Sequence, residues 1–149
     1  MDDDPIPVSA RPSLRGRLAL LGCAVASLAA SALVGISDNP PGLLLAFLAS
    51  LCVVLALTLG WHHPRRHLFL FVGSLLAFVV AAALHNLLEA AAARVTAPSL
   101  QAAAEALGVA FFLAAIFLCP AGLVVGAIGG LASAVRRRLI RPPLPPPRP

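Results

Sequence analysis

The polar side chains best suited to chemistry lie at one end of the third apolar stretch of the chain. His85 and Glu89 are four positions apart, and Asn86 lies between them. Residues at this spacing share one face of a helix and can touch. An imidazole beside a carboxylate can bind a proton, a divalent metal ion or a small polar ligand.

A second polar group follows closely, because Gln101 and Glu105 are also four apart and Arg94 lies between the two groups. We expect a polar cluster on the outer side of a membrane, made of His85, Asn86, Glu89, Arg94, Gln101 and Glu105. The alternative to a binding role for this cluster is a purely structural role. Residues 68–84 already cover about 25 Å of helix at 1.5 Å each, so the cluster lies near the interface and could pair two helix ends.

Three histidines near the middle of the chain form a weaker candidate site. His62, His63 and His67 fall within six positions, and imidazole is a ligand of zinc, nickel and copper. Arg65 and Arg66 stand among them and repel a cation. We therefore expect no resident metal ion.

No pattern in the sequence indicates catalysis. The chain has no glycine-rich phosphate loop, no Ser-His-Asp set and no His-Glu-x-x-His zinc motif. Its three cysteines, Cys23, Cys52 and Cys119, lie in separate apolar stretches and form no Cys-x-x-Cys pair. We predict a non-enzymatic protein without a cofactor.

The composition indicates which elements must position these residues. The 149 residues are 60% hydrophobic and 11% charged, with a mean hydropathy of +0.94, whereas soluble domains are about 25% charged. About 20 helical residues cross the apolar layer of a bilayer, and a spanning segment must be helical to satisfy its backbone. Four stretches qualify, at residues 18–36, 42–60, 68–88 and 106–128.

These spans predict an all-α integral membrane protein, a four-helix bundle. Short connections containing proline make consecutive helices antiparallel neighbours. We expect a tail over residues 1–17, the membrane domain over 18–128, a basic amphipathic segment over 129–141 and a proline-rich disordered tail over 142–149.

Arginine positions predict the orientation. The chain has a net charge of +5, and all of its arginines except Arg94 lie on one side of the predicted spans. The positive-inside rule places that side, with both termini, in the cytoplasm. The charge therefore reflects topology, and we expect no nucleic-acid partner. An arginine- and alanine-rich composition without lysine suggests a GC-rich bacterial genome and the cell membrane.

The first stretch also has an alternative interpretation as a cleaved signal peptide. Ala30, Ser31 and Ala32 fit the small-x-small cleavage pattern after a basic start and an apolar core. The apolar run continues to Ile36, however, and three further spans follow. We expect the helix to be retained.

Small residues at four-residue spacing permit close helix approach in lipid. Two such ridges stand out, Gly122-Gly126-Gly130 in the fourth span and Ser27-Ser31-Gly35 in the first. They either form a surface for a second copy or another membrane protein, or pack the helices of one chain together. Both interpretations remain open from the sequence.

We expect the chain to act as a membrane assembly, accessory or scaffold subunit, with the lipid bilayer and membrane proteins as its partners. The alternative is a small channel or transporter with a polar vestibule near His85 and Glu89. No acid or base lies in the middle of any span, although coupled carriers usually keep one there.

Cysteine labelling tests the orientation. In a variant whose three native cysteines are replaced by alanine, Ser9→Cys or Ser99→Cys adds one reporter thiol. We predict that a membrane-impermeant maleimide added to intact cells labels Ser99→Cys only, because position 99 lies in a predicted outer loop that lacks the basic excess. Labelling of Ser9→Cys instead would reverse the assigned topology.

Overall fold

The computed structural model describes residues 14–35, 39–61 and 63–140, apart from the side chains at positions 137 and 140. These residues form helices and no strand, in the order α1 (Leu14–Val34), α2 (Pro40–Thr58), α3 (Pro64–Ala92), α4 (Pro98–Leu113), a π-helical turn (Ala114–Leu118) and α5 (Cys119–Ile140). The last three elements form one continuous helical stretch. The prediction of an all-helical chain with four membrane-length apolar helices is confirmed, and these helices mark it as a multi-pass membrane protein.

Helix α3 and the fourth helical stretch extend beyond their predicted spans at both ends, whereas α1 and α2 begin before their predicted spans and end two residues early, at Val34 and Thr58. Helix α3 begins four residues before position 68, and the fourth helical stretch runs from Pro98 to Ile140 instead of 106–128. Hydropathy detects only the segment inside the apolar layer, whereas backbone hydrogen bonding continues past it. Three helices begin at a proline, which suits the first turn because its amide hydrogens have no helical acceptor.

In the first compact unit, which ends at Gly60, α1 packs along α2. Ser27 and Ser31 are buried, and the Ser31 hydroxyl donates to the Leu28 carbonyl at 3.1 Å. At the ends of the two helices, the Arg17 guanidinium donates to the Leu59 carbonyl at 3.1 Å. The beginning of α1 therefore lies beside the end of α2.

In the second compact unit, which begins at Trp61, α3 packs against α4, the π-helical turn and α5. Glycines of α5 face α3 at very short range. A Cβ added at Gly126 would lie 2.8 Å from the Phe71 backbone nitrogen and 3.0 Å from the His67 carbonyl oxygen. One at Gly122 would lie 3.1 Å from the Ser74 Cβ. Only glycine allows the two backbones to come this close.

The distribution of side-chain sizes is the reverse of that in a soluble protein. Much of the buried set is small, including Ala46, Ala49, Ala56, Ala115 and Ala121. Many large apolar side chains are exposed, including Leu44, Phe69, Val80, Leu107 and Ile128. Water would penalise such an apolar surface, whereas lipid does not. The small interior and the large exterior therefore fit a bilayer environment.

The π-helical turn lies immediately before Pro120. The Cys119 amide donates to the Ala114 carbonyl, five residues back instead of four. Proline has no amide hydrogen and crowds the preceding turn, and π turns relieve such breaks in the helical ladder. The irregularity beside Pro120 therefore takes the form of a widened turn.

Gly126 and Gly73 provide a matched test of the close approach between α3 and α5. Gly126→Ala forces backbone against backbone, so we expect it to destabilise the protein by about 1–3 kcal/mol. Gly73→Ala meets nothing within 4 Å and should be neutral or slightly stabilising. Thermal denaturation of both variants in detergent measures the difference; equal midpoints would contradict the packing.

Candidate functional site

The polar residues singled out by the sequence lie on two helices that pack together. Helix α3 carries His85 and Glu89 near its end, and α4 carries Gln101 and Glu105 near its beginning. Because α3 contacts α4, side chains from one helix can reach the backbone of the other. The geometry of each pair decides what it can do.

His85 is fixed by α4 through its Nδ1 atom. Nδ1 lies 3.0 Å from the carbonyl oxygen of Gly108, and the ring centroid lies 5.0 Å from that of Phe112, tilted by 44°. A Cβ at Gly108 would lie 3.7 Å from Nδ1, which is ordinary contact. Since a carbonyl oxygen only accepts, Nδ1 carries a proton and donates it to Gly108.

The other ring nitrogen of His85 points toward Glu89. The Nε2 atom lies 3.8 Å from a carboxylate oxygen of Glu89. The His85 side chain is 27% exposed and that of Glu89 is 75% exposed, so the pair lies at the edge of the helix contact. The predicted contact between positions 85 and 89 is present in this geometry.

Gln101 and Glu105 form a separate pair on α4. The Gln101 amide donates to the Glu105 carboxylate at 3.0 Å, and both side chains are exposed. Asn86 and Arg94 are also exposed. Within the described part of the chain, no hydrogen bond or ion pair joins any of these four residues to His85 or Glu89.

The histidines near the middle of the chain are placed differently from one another. His67 is buried, with Nε2 3.3 Å from the Trp61 carbonyl oxygen and its ring centroid 5.7 Å from that of Trp61. His63 is exposed, and His62 lies outside the described residues. No group of three or more metal-binding side chains occurs among the residues described.

The buried ring of His67 packs on a glycine of α5. A Cβ at Gly129 would lie 2.5 Å from the Cε1 atom, whereas one at Gly130 would lie 3.8 Å from the His67 Cβ. Its Nδ1 atom has no hydrogen-bond partner among the described residues. His67 therefore serves the contact between α3 and α5.

Only some residues of the two small-residue ridges are closely packed within the chain. Gly122 and Gly126 face α3 within the chain, and Gly130 makes only ordinary contact with His67. In the first ridge, Ser27 and Ser31 are buried. Gly35 lies after α1 with a φ of +89° and nothing within 4 Å of its Cβ position, so it ends the helix as glycine commonly does.

Sequence reasoning missed three residues that complete these contacts, namely Gly108, Phe112 and Gly129. Gly108 is 23 positions from His85, and no local pattern links them. The four-residue spacing of the predicted ridge selected Gly130 instead of Gly129. Gly129 and Gly130 follow Gly126 by three and four residues, so both lie near the helix face of Gly126.

Comparison of the chain with protein-family models, curated proteins and solved structures finds no match. The His85–Glu89 pair offers two protein ligands, fewer than the three or four that zinc sites use.

Substitutions at the adjacent glycines Gly129 and Gly130 test how His67 packs on α5. Gly129→Ala drives a methyl group into the imidazole ring, so we expect a loss of about 1–3 kcal/mol of stability and a change in the fluorescence of Trp61, the sole tryptophan. Gly130→Ala should leave both unchanged. If Gly130→Ala has the larger effect, the register of α5 on α3 is wrong.

Proposed function

We propose that the protein is a non-enzymatic accessory or scaffold subunit of the cell membrane that acts by associating with other membrane helices. Two glycines whose Cβ positions have no neighbouring atoms support this proposal. Gly22 in α1 and Gly73 in α3 have nothing within 4 Å of their Cβ positions. Each is followed four residues later by an exposed alanine, Ala26 and Ala77 respectively.

We call these two pairs, Gly22 with Ala26 and Gly73 with Ala77, the open stripes of α1 and α3. They differ from the glycine ridge on α5. Gly122, Gly126 and Gly129 are occupied by α3 of the same chain, so close approach within the chain accounts for them. Among the described residues of its own compact unit, neither Gly22 nor Gly73 has such a neighbour. Small residues in spans allow a partner helix to approach closely and pack, which makes these stripes the natural contact for a partner or a second copy.

The hydrogen bonding inside the spans also favours assembly over transport or catalysis. The hydroxyls of Ser31, Ser50 and Thr58 donate to carbonyls of their own helices at 2.9 to 3.1 Å. His85 and His67 are hydrogen-bonded to backbone carbonyls as well. Polar groups engaged in this way stabilise helices and helix contacts, and are less available to carry a solute.

The proposed topology is four antiparallel spans in a bacterial cell membrane with both termini cytoplasmic. Gly122 lies beside Ser74 and Gly126 beside Phe71, so rising positions on α5 meet falling positions on α3. The hydrogen bond from Arg17 to Leu59 supports the same arrangement of α1 and α2. The arginine distribution supports the orientation.

A photo-crosslinking residue placed at Ala77 tests the assembly role. In native membranes we expect it to form an adduct with a second polypeptide, because position 77 belongs to the open stripe of α3. The matched control is the same residue at Val79, which is 60% exposed and two positions away. Protein adducts from position 77 well above those from position 79 support the proposal, and lipid adducts alone at both positions contradict it.

A second candidate, a small channel or transporter, is favoured by the His85–Glu89 pair at one end of the α3–α4 contact. Proteoliposomes separate the two functions. The assembly role predicts proton and cation flux no higher than in protein-free liposomes. Flux that disappears in Glu89→Gln and persists in Glu105→Gln would establish transport instead.

A further inference from the structure

The hydrogen bond from His85 to Gly108 determines which ring nitrogen holds a proton. The carbonyl oxygen of Gly108 lies 3.0 Å from Nδ1 and can only accept. Nδ1 is therefore the donor in every charge state that keeps this bond. In a neutral imidazole the second nitrogen, Nε2, then has a lone pair and no proton.

This leaves two acceptors facing each other. The Nε2 atom of His85 lies 3.8 Å from a carboxylate oxygen of Glu89, and an ionised carboxylate only accepts hydrogen bonds. A lone pair opposite a carboxylate repels it, whereas a proton between the two makes an ion pair. A positive charge on the His85 ring therefore stabilises this arrangement.

We propose that His85 and Glu89 form a proton-binding site that strengthens the contact between α3 and α4 when it is occupied. Protonated His85 donates from Nδ1 to Gly108 on α4 and forms an ion pair through Nε2 with Glu89 on α3. The ring then bridges the two helices with both nitrogens paired, while its face packs on Phe112. This inference is independent of the assembly role, because it concerns the state of a contact within the chain.

The surrounding charges leave Glu89 as the group that governs the site. On α4, Glu105 lies one turn before Gly108, and its carboxylate accepts from Gln101. The π-helical turn contains no ionisable residue, and Arg94 in the loop has no ion pair among the described residues. Glu89 is the described carboxylate that lies within 4 Å of the ring.

His67 provides an internal contrast on the same helix. It is hydrogen-bonded to the Trp61 carbonyl through Nε2. His67 therefore carries its proton on Nε2, whereas His85 carries its proton on Nδ1. Its Nδ1 faces Gly129 without a partner among the described residues. A proton added at His85 finds a carboxylate, whereas one added at His67 finds no described acceptor. The two histidines therefore differ both in tautomer and in the group that faces the second ring nitrogen.

The sign of the pH effect follows from these contacts. The bridge is complete when His85 is charged and Glu89 is ionised. Loss of the ring charge removes the Nε2 proton and with it the ion pair to Glu89. The bond from Nδ1 to Gly108 persists, but it is weaker because its donor no longer carries a charge. We infer that the α3–α4 contact is tighter at pH 5.5 than at pH 8.5.

Imidazole ¹⁵N NMR of the full chain in nanodiscs tests the site directly. At pH 8.5 we expect His85 to carry its proton on Nδ1 and His67 to carry its proton on Nε2. At pH 5.5 both nitrogens of His85 should be protonated. A His85 ring with its proton on Nε2 at pH 8.5 would overturn the proposal, because the required bond to Gly108 would be absent.

Thermal denaturation at the two pH values tests the role of Glu89. The side-chain amide introduced by Glu89→Gln can donate to the bare Nε2 of neutral His85 but carries no charge to pair with the protonated ring. This substitution should therefore reduce the stabilisation gained at pH 5.5 relative to pH 8.5, by about 1–4 °C. Glu105→Gln, on the neighbouring pair, should respond to pH as the native chain does. An unchanged pH response in Glu89→Gln overturns the proposal.

Zinc distinguishes a proton site from a metal site. The pair supplies two protein ligands, so equimolar Zn²⁺ at pH 7.5 should leave the ¹⁵N signals of His85 unchanged. A saturable change that is lost in Glu89→Gln and kept in Glu105→Gln would overturn the proton assignment in favour of a metal ion.

Discussion

Close backbone contact between α3 and α5 at Gly126 is the interaction on which the second unit depends. Lipid is as apolar as leucine, so burying leucine between two spans gains little. Association must come from short-range packing, which requires backbones to approach. At Gly126 a single added carbon would lie 2.8 Å from a backbone nitrogen of α3. The same constraint explains why alanine, serine and glycine fill the interior and why leucine, valine and phenylalanine lie outside.

Histidine has two different uses along α3, both set by a backbone carbonyl. His67 donates from Nε2 to Trp61 and rests on Gly129, which makes it a packing residue. His85 donates from Nδ1 to Gly108, which leaves Nε2 beside a carboxylate. One hydrogen bond thus determines whether the remaining nitrogen is enclosed or available for binding.

The sequence was sufficient to predict the helical class, the number of spans and the contact between positions 85 and 89. Hydropathy and helical spacing are local properties, and each of these features depends on residues within one helix. The sequence was insufficient to predict the helix ends. Backbone hydrogen bonding continues outside the apolar stretches, back to Pro64 in α3 and on to Ile140 in α5. The sequence also could not pair His85 with Gly108 or choose Gly129 over Gly130, because such pairings depend on how two helices are rotated against each other.

A disulfide between positions 74 and 122 tests the central claim most directly. A Cβ at Gly122 would lie 3.1 Å from that of Ser74, close to the 3.5–4.5 Å that disulfides span. In a chain without the native cysteines, the Ser74→Cys, Gly122→Cys pair should oxidise within one polypeptide in native membranes, whereas Gly73→Cys with Gly122→Cys should not. Disulfide-linked dimers, or equal oxidation of both pairs, would show that the glycine face of α5 serves a different contact.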